Sequence, residues 1–219
     1  TPALDPASDS GTPGDNITSD TTPTLTGTDG TPGETVTLYA DGAEVGTAVV
    51  EPGGSYSVTP DAPLAEGTPD LTVTFTDPSG NESVPSAALP ITLDATAPTE
   101  PSLNGPIEDD DIINASEQSD VSVSGIAEPN STVEVTFTDG AGGVATGQTT
   151  ADGAGNWTLD GSTVDVSGLQ DGSLNVSATA TDTAGNVSIA GTTTVTKDAT
   201  LPAAPTVSFS DDTGTVGDG

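Results

Sequence analysis

Short stretches of alternating apolar and polar residues recur along the chain, separated by clusters of Gly, Pro, Asp and Asn. The alternation is clearest in residues 35–38 and 133–137, where every second side chain is apolar. A period of two places the apolar side chains on one face of a β-strand. No apolar pattern has the period and length of an ordinary helix. The pattern therefore predicts an all-β protein.

The predicted strands form two sets of seven, one in each half of the chain. Short strands with turn residues between them are typical of a β-sandwich. The first set comprises residues 2–5, 22–28, 34–40, 44–50, 55–59, 70–76 and 86–93. The second set comprises residues 99–103, 120–126, 132–138, 144–150, 156–160, 173–181 and 187–196. The alternation also predicts a small core in each half, made of Leu25, Val36, Leu38, Val49, Tyr56, Leu71, Val73 and Phe75, and of Val123, Val133, Val135, Phe137, Trp157, Leu174, Val176 and Ala178.

The two halves are related to each other by sequence. The segment Asp-Ala-Thr-Ala-Pro that begins at Asp94 recurs as Asp-Ala-Thr-Leu-Pro at Asp198, and the Thr-Asp-Pro-Ser-Gly-Asn segment ending at Asn81 has a counterpart ending at Asn186. Residues 212–218 resemble residues 9–15 of the first half. We therefore expect one repeat at 1–93, a second at 94–197 and the start of a third, truncated repeat at 198–219. The chain is expected to be a slice of a longer tandem array.

The charge of the chain is strongly one-sided. It has 34 Asp and Glu, a single Lys or Arg, no His and no Cys, for a net charge of -33. Without basic clusters we expect no binding to nucleic acid or to anionic lipid. Without His and Cys, a disulfide framework, a thiolate or imidazole metal site and a His-dependent triad are excluded. No apolar run is long enough to cross a bilayer, so we expect no membrane insertion by this segment.

A single amine cannot neutralise this many carboxylates. Where carboxylates converge, a bound cation is needed to offset their repulsion. Ligand sets made only of oxygen favour a hard cation, and a cage built mostly from protein favours Ca²⁺ over Mg²⁺. The spacing of an EF-hand loop is not present.

Four motifs together resemble bacterial Ig-like repeats. They are Asp-Ala-Thr-Ala-Pro (94–98), Asp-Asp-Ile-Ile-Asn-Ala-Ser-Glu (110–117), Gly-Ile-Ala-Glu-Pro-Asn-Ser-Thr-Val (125–133) and Thr-Asp-Thr-Ala-Gly-Asn (181–186). Such tandem repeats build the stalks of giant type-I-secreted surface adhesins of the RTX and biofilm-associated kinds. The resemblance covers essentially the whole chain and is stronger in the second repeat. It implies tandem Ig-like β-sandwiches arranged as an elongated rod at the bacterial cell surface, with Ca²⁺ bound at the domain junctions.

The topology of an Ig sandwich indicates where such an ion would lie. Three of its loops and the entering linker meet at the N-terminal pole. In the second repeat these segments carry Glu128, Asp182 and Asn186, and the linker carries Asp94. We predict that Asp94, Glu128 and Asp182 bind Ca²⁺ at the junction, with Asn186 or backbone carbonyls completing the shell.

Two further sites are predicted by the same argument. The N-terminal pole of the first repeat carries Asp29 and Asp77, and at the C-terminal pole of the second repeat Asp110 and Asp111 would approach Asp198. The equivalent acidic residues of the first repeat, which would approach the Asp94 linker, are Asp9, Asp15 and Asp20. Asp and Asn also bond their own backbone in turns, so a purely structural role is the alternative for each loop.

The leading functional hypothesis is a structural extender, or stalk, of a bacterial adhesin that supports adhesion and biofilm formation. Its partners would be the neighbouring repeats of the same chain. The alternative is an Ig-like recognition module that binds a polysaccharide or a partner protein, although aromatic and cationic side chains are scarce. Carboxylate pairs can hydrolyse glycosides, but nothing in the sequence marks a cleft, so we expect no enzymatic activity.

Overall fold

The computed structural model describes residues 2–160 and 164–207. The strands of the first half are β1 (Ala3–Leu4), β2 (Ile17–Thr18), β3 (Leu25–Gly27), β4 (Thr35–Ala40), β5 (Ala43–Val49), β6 (Tyr56–Val58), β7 (Asp70–Thr76), β8 (Leu89–Pro90) and β9 (Thr92–Leu93). Those of the second half are β10 (Ser102–Leu103), β11 (Ile112–Asn114), β12 (Val123–Ile126), β13 (Thr132–Thr138), β14 (Val144–Thr150), β15 (Asn156–Leu159), β16 (Gly172–Thr181) and β17 (Gly191–Asp198). A short 3-10 helix, Ile107–Asp109, precedes β11. Residues 212–218 of the predicted third repeat lie outside the described residues.

Each half of the chain forms a β-sandwich with its own core. In the first sandwich, which comprises β1–β9, the sheet β1-β3-β6 faces the sheet β5-β4-β7-β8, and β2 pairs with β9. In the second sandwich, β10–β17, the sheet β10-β12-β15 faces the sheet β11-β17-β16-β13-β14. The buried apolar side chains form one cluster in each sandwich. The predicted all-β fold is confirmed. No helix in the described residues has the length and hydropathy needed to cross a membrane.

Each sandwich contains one short strand that the hydrophobic pattern did not predict. Strand β2 pairs in parallel with β9, and β11 pairs in parallel with β17. Each of these strands buries a single side chain, that of Thr18 in β2 and that of Ile113 in β11. One buried residue leaves no alternation to detect. These strands attach the first part of each sandwich to its last strand.

The predicted core is correct except at the end of β5. Val49 is 63% exposed, whereas the next residue, Val50, is 2% exposed. A shift of one residue turns a side chain to the opposite face of a strand, and two adjacent valines do not reveal which one faces inward. Phe75 is only partly buried and packs edge-on against Tyr56, with ring centroids 5.4 Å apart.

Candidate functional site

The two sandwiches touch through one loop from each. The Ser10 hydroxyl of the first sandwich donates a hydrogen bond of 2.5 Å to the Ala184 carbonyl of the second. A Cβ atom built on Gly11 would lie 2.1 Å from the Thr183 oxygen, and one built on Gly185 would lie 2.9 Å from the Gly11 nitrogen. Both glycines have positive φ, +71° and +89°. The contact is therefore made backbone against backbone, at a distance that other residues do not permit.

The linker residue Asp94 is bonded by both sandwiches. Its backbone N–H donates to the Thr18 carbonyl of the first sandwich at 2.9 Å. Its carbonyl accepts a 2.8 Å hydrogen bond from the Asn186 side chain of the second sandwich. The same Asn186 amide donates to the Asp182 carboxylate, also at 2.8 Å. Three of the four predicted ligands of the junction are thus joined by direct hydrogen bonds.

The fourth predicted ligand, Glu128, interacts electrostatically with the carboxylates of Asp182 and Asp94. Its pKa is raised above the ordinary value, first by partial burial and then by repulsion from Asp182 and Asp94. A partly desolvated carboxylate facing two others is the arrangement in which a cation relieves most repulsion. The donor set, three carboxylates and an amide, fits a hard cation such as Ca²⁺. No group of three or more acidic side chains among the described residues is arranged to hold a metal ion, so the three carboxylates do not form a ligand shell in this structure.

Of the three acidic residues of the first sandwich predicted to approach the linker, Asp9 borders the junction. It precedes Ser10, and its Oδ1 atom is buried without a hydrogen-bond partner. A buried carboxylate oxygen without a partner is costly. The other two bond within their own loop: Asp15 accepts from the Ile17 N–H and Asp20 from the Ser8 hydroxyl, at 2.8 and 2.7 Å.

The N-terminal pole of the first sandwich repeats only part of this arrangement. The Asn81 side chain donates to Asp77 at 2.8 Å, as Asn186 donates to Asp182. Hydrogen bonds to Asn81, its side chain first, hold the pKa of Asp77 below the ordinary value. The 77–81 loop is therefore a structural copy of the 182–186 loop.

Asp29, the other predicted residue of that pole, does not occupy the position of Glu128. The Gly30 N–H donates to the Gly54 carbonyl just as the Ala127 N–H donates to the Gly155 carbonyl. The residue after Gly30 is Thr31, so a threonine stands where the second sandwich has Glu128. The first sandwich has one additional residue at Asp29, and nothing in the sequence pattern marks such a shift.

At the C-terminal pole of the second sandwich the predicted ligands do not converge. Asp111 accepts from the Ile107 N–H and Asp110 from the Ile112 N–H, at 2.8 and 2.9 Å. These two precede β11, whereas Asp198 pairs with Asn114 at the far end of that strand. Three residues of extended chain span about 10 Å. The hydrogen bonds of Asp110 and Asp111 are those of the purely structural role in a turn. A cation shared with Asp198 stays a prediction.

The family model of the bacterial Ig-like domain matches residues 1–95 and again residues 99–199. The chain belongs to this family. No protein among the curated sequences matches it.

The Ig-like chain is similar to several solved structures. One is a tetra-tandem repeat from the extending region of a large adhesion protein, with 32% identity over 82% of this chain and 46% of that one, and a TM-score of 0.40. Another is a Ca²⁺-stabilised adhesin with which an Antarctic bacterium binds ice, with 28% identity over 93% and 50% and a TM-score of 0.47. The chain spans about half the length of these two structures. The fibronectin(III)-like modules of Clostridium thermocellum CbhA share 13% identity over 90% and 95% with a TM-score of 0.53, a likeness of fold alone.

The single cationic side chain of the Ig-like chain is engaged far from the junction. Lys197 is 4% exposed, and its amine donates to the Leu169 carbonyl at 3.0 Å and to the Asp171 carboxylate at 2.9 Å. Its hydrogen bond is the main cause that lowers the pKa of Asp171 to about 2, with Thr200 second. Lys197 is therefore not available to neutralise the junction carboxylates. Lys197 follows the predicted strand 187–196 directly, and the sequence pattern predicted neither its burial nor its partner.

A cavity of about 740 Å³ lies in the first Ig-like sandwich, beside strands β3, β5 and β6. Its walls include Tyr56, whose buried hydroxyl has no hydrogen-bond partner, and the acidic residues Asp29 and Glu51. Burial raises the pKa of Tyr56 to about 12. None of the four predicted junction ligands lines this cavity.

Proposed function

We propose that this chain is an extender segment of a bacterial surface adhesin, in which Ca²⁺ bound between Ig-like domains fixes the angle of each junction. The observation that supports the proposal is the approach of Asp94, Glu128 and Asp182 at the point where the sandwiches touch. One of these carboxylates belongs to the linker and the other two to loops of the second sandwich. An ion shared by all three therefore ties the linker to the following domain.

The proposed ion limits bending of the junction by replacing the repulsion between the carboxylates with attraction to a cation. Like charges a few ångströms apart repel by about 1 kcal/mol or more even near water, and by more where burial lowers the dielectric response. Without an ion, this repulsion pushes the linker away from the 128 and 182 loops. With a divalent ion in place it becomes attraction, and the junction loses its freedom to bend. Ca²⁺ supplies the positive charge, while the chain supplies the oxygen donors and the direct contact between the two loops.

A rod of such domains projects whatever it carries away from the cell. The partners of this segment are then the neighbouring repeats, and its place is outside the cell at the bacterial surface. The segment performs no catalysis in this proposal. One similar structure is described as a Ca²⁺-stabilised adhesin; for this chain, the proposal rests on its own carboxylates.

Calorimetric titration of Ca²⁺ into the chelator-treated chain tests the proposal. We expect saturable binding in the wild type and at least about tenfold weaker binding in Asp182→Asn, since loss of one charged ligand typically costs more than about 1.4 kcal/mol. Asp139→Asn is the matched control, because Asp139 also accepts backbone hydrogen bonds in a turn, between β13 and β14.

Small-angle scattering should show a longer and stiffer particle with Ca²⁺ than with chelator. No binding at millimolar Ca²⁺, or equal loss in both variants, overturns the proposal.

A second candidate function, recognition of a polysaccharide, has one feature in its favour. The 740 Å³ cavity of the first sandwich is lined by the small polar side chains of Thr26, Ser55 and Ser57. Glycan-array binding that is lost in Ser57→Ala, at an exposed position of the lining, would support this function. If no glycan on the array binds, polysaccharide recognition is rejected and the extender role is the one proposal that remains.

A further inference from the structure

The linker that leaves the first sandwich is held back onto that sandwich by a carboxylate. Glu66 lies just before β7, and its Oε1 atom accepts two hydrogen bonds from the linker. The donors are the backbone N–H of Ala95, at 3.0 Å, and the hydroxyl of Thr96, at 2.8 Å. A charged acceptor makes each of these bonds stronger than a neutral pair would be.

The second sandwich holds its own linker in the same way. The Asp171 carboxylate accepts a 2.8 Å hydrogen bond from the Thr200 hydroxyl, and it also accepts from the backbone of Ala199. The Lys197 amine bonds the other oxygen of Asp171 at 2.9 Å. Both Asp-Ala-Thr linkers are therefore held through the Ala N–H and the Thr hydroxyl.

Glu66 and Asp171 occupy equivalent positions in the two sandwiches. Each precedes a glycine with an unusual positive φ, +136° at Gly67 and +133° at Gly172. Gly67 bridges to Leu93 in the last strand of the first sandwich, and Gly172 pairs with Lys197 in β17. The contact recurs although one residue is Glu and the other Asp. It is thus a property of the repeat and not an accident of one loop.

We propose that Glu66 and Asp171 are positioning residues that set the direction in which each linker leaves its sandwich, without the help of a metal ion. We call this arrangement the linker clamp; it is formed by Glu66 in the first sandwich and Asp171 in the second. Its biological role rests on the proposed extender function. The physical claim stands separately, because the clamp consists of protein groups alone.

The hydrogen bonds around the first clamp account for three consecutive backbone N–H groups. Asp94 donates to Thr18 at 2.9 Å, Ala95 donates to Glu66, and Thr96 donates to the Asp94 carboxylate at 3.1 Å. Residues 94–96 therefore move with the first sandwich. At the other end, the Pro101 carbonyl packs closely against Gly191 of the second sandwich. Bending between the two sandwiches is therefore confined to linker residues 97–100, where Pro98 further restricts backbone rotation.

Distance measurement between two spin labels tests the clamp. The chain has no Cys, so labels can be placed at Thr47→Cys in β5 and Thr158→Cys in β15, both exposed. In chelator, we expect Glu66→Ala to broaden the distance distribution about twofold, because the released linker residues regain rotational freedom. Glu66→Gln keeps a carbonyl acceptor and should retain most of the wild-type width.

Two further variants separate the clamp from general effects. Glu44→Ala removes the same charge from the exposed edge strand β5 and should leave the distribution unchanged. Thr96→Val removes a donor on the linker side without touching the carboxylate and should broaden it. If the wild-type and Glu66→Ala distance distributions in chelator have the same width, the clamp is overturned. Because these measurements are made without Ca²⁺, their failure is distinct from failure to bind Ca²⁺ in the titration.

Discussion

Gly11 and Gly185 determine how closely the two sandwiches approach. Each has positive φ, and each lies where a Cβ atom would collide with backbone of the other sandwich. The close approach brings the Ser10 hydroxyl onto the Ala184 carbonyl. Two residues without side chains thus create a direct contact beside the candidate ion site.

Substitution of Gly11 by Ala should open the junction. Gly14→Ala is the matched control, because its φ is +90° but a Cβ there would meet nothing within 4 Å. Both variants should lose about 1 kcal/mol of stability from the left-handed backbone. Only Gly11→Ala should also broaden the distance between labels on the two sandwiches. Equal distributions in the two variants would contradict the role assigned to the contact.

The Lys197–Asp171 pair should make the second sandwich sensitive to acid. The pKa of Asp171 falls from 3.8 to about 2, chiefly through the Lys197 hydrogen bond. A depressed pKa means that the folded state binds the proton less tightly than the unfolded state does. The stabilisation is therefore complete above about pH 5 and is lost as the pH falls through 3.8 towards 2.

Unfolding followed by Trp157 fluorescence checks this dependence, since Trp157 is the only tryptophan. The difference in unfolding free energy between wild type and Asp171→Asn should be constant above about pH 5 and shrink as the pH approaches 2. A difference that does not change with pH would show that the ion pair contributes nothing through this titration.

At the scale of elements, the short parallel strands β2 and β11 attach the first part of each sandwich to its last strand. The long strands β4, β7, β13 and β16 show enough alternation to be predicted from the sequence. Strands β2 and β11 are only two and three residues long, and they exist because a neighbouring strand supplies hydrogen bonds. Such contact-dependent elements leave almost no trace in a hydrophobic pattern.

The contribution of β11 can be measured through its adjacent isoleucines. Ile113 is fully buried, whereas Ile112 is 44% exposed. Ile113→Ala should cost about 2–5 kcal/mol of unfolding free energy because it leaves a cavity. Ile112→Ala should stay within about 0.5 kcal/mol of wild type. Chemical denaturation measures both values, and similar costs would mean that β11 is not packed as described.

The candidate site shows a similar division between what topology predicts and what it does not. Asp94, Glu128 and Asp182 were expected at one pole from the order of strands alone, and the structure places them near one another. Asp29 does not occupy the position of Glu128, because one extra residue shifts that loop, and a cation site at Asp29 stays a prediction. Glu66 and Lys197 were missed as well, since their partners depend on the path of each loop and not on any spacing in the sequence.

For the whole molecule, the two sandwiches are joined by a small contact and have separate cores. The cluster of the second sandwich is larger and includes Trp157 and Phe137, whereas that of the first contains a single buried aromatic residue, Tyr56. More buried apolar surface gives more stabilisation. With a net charge of -33, the chain gains little from attraction between the halves unless cations are present.

Calorimetry in chelator should therefore show two transitions, the first belonging to the first sandwich. Trp157 fluorescence should remain unchanged through the first transition and change in the second. Added Ca²⁺ should bring the transitions closer together, because binding at the junction stabilises the folded pair. A change in Trp157 fluorescence during the first transition would reverse the order of stability.

The burial of Lys197 has a consequence for proteolysis. Trypsin-like proteases cut after Lys or Arg, which must enter a specificity pocket that opens to the solvent. The only such residue in these 219 positions is 4% exposed, paired in the middle of a sheet and held at its tip by Asp171. While it stays folded, this stretch of chain offers proteases of that class no site to cut.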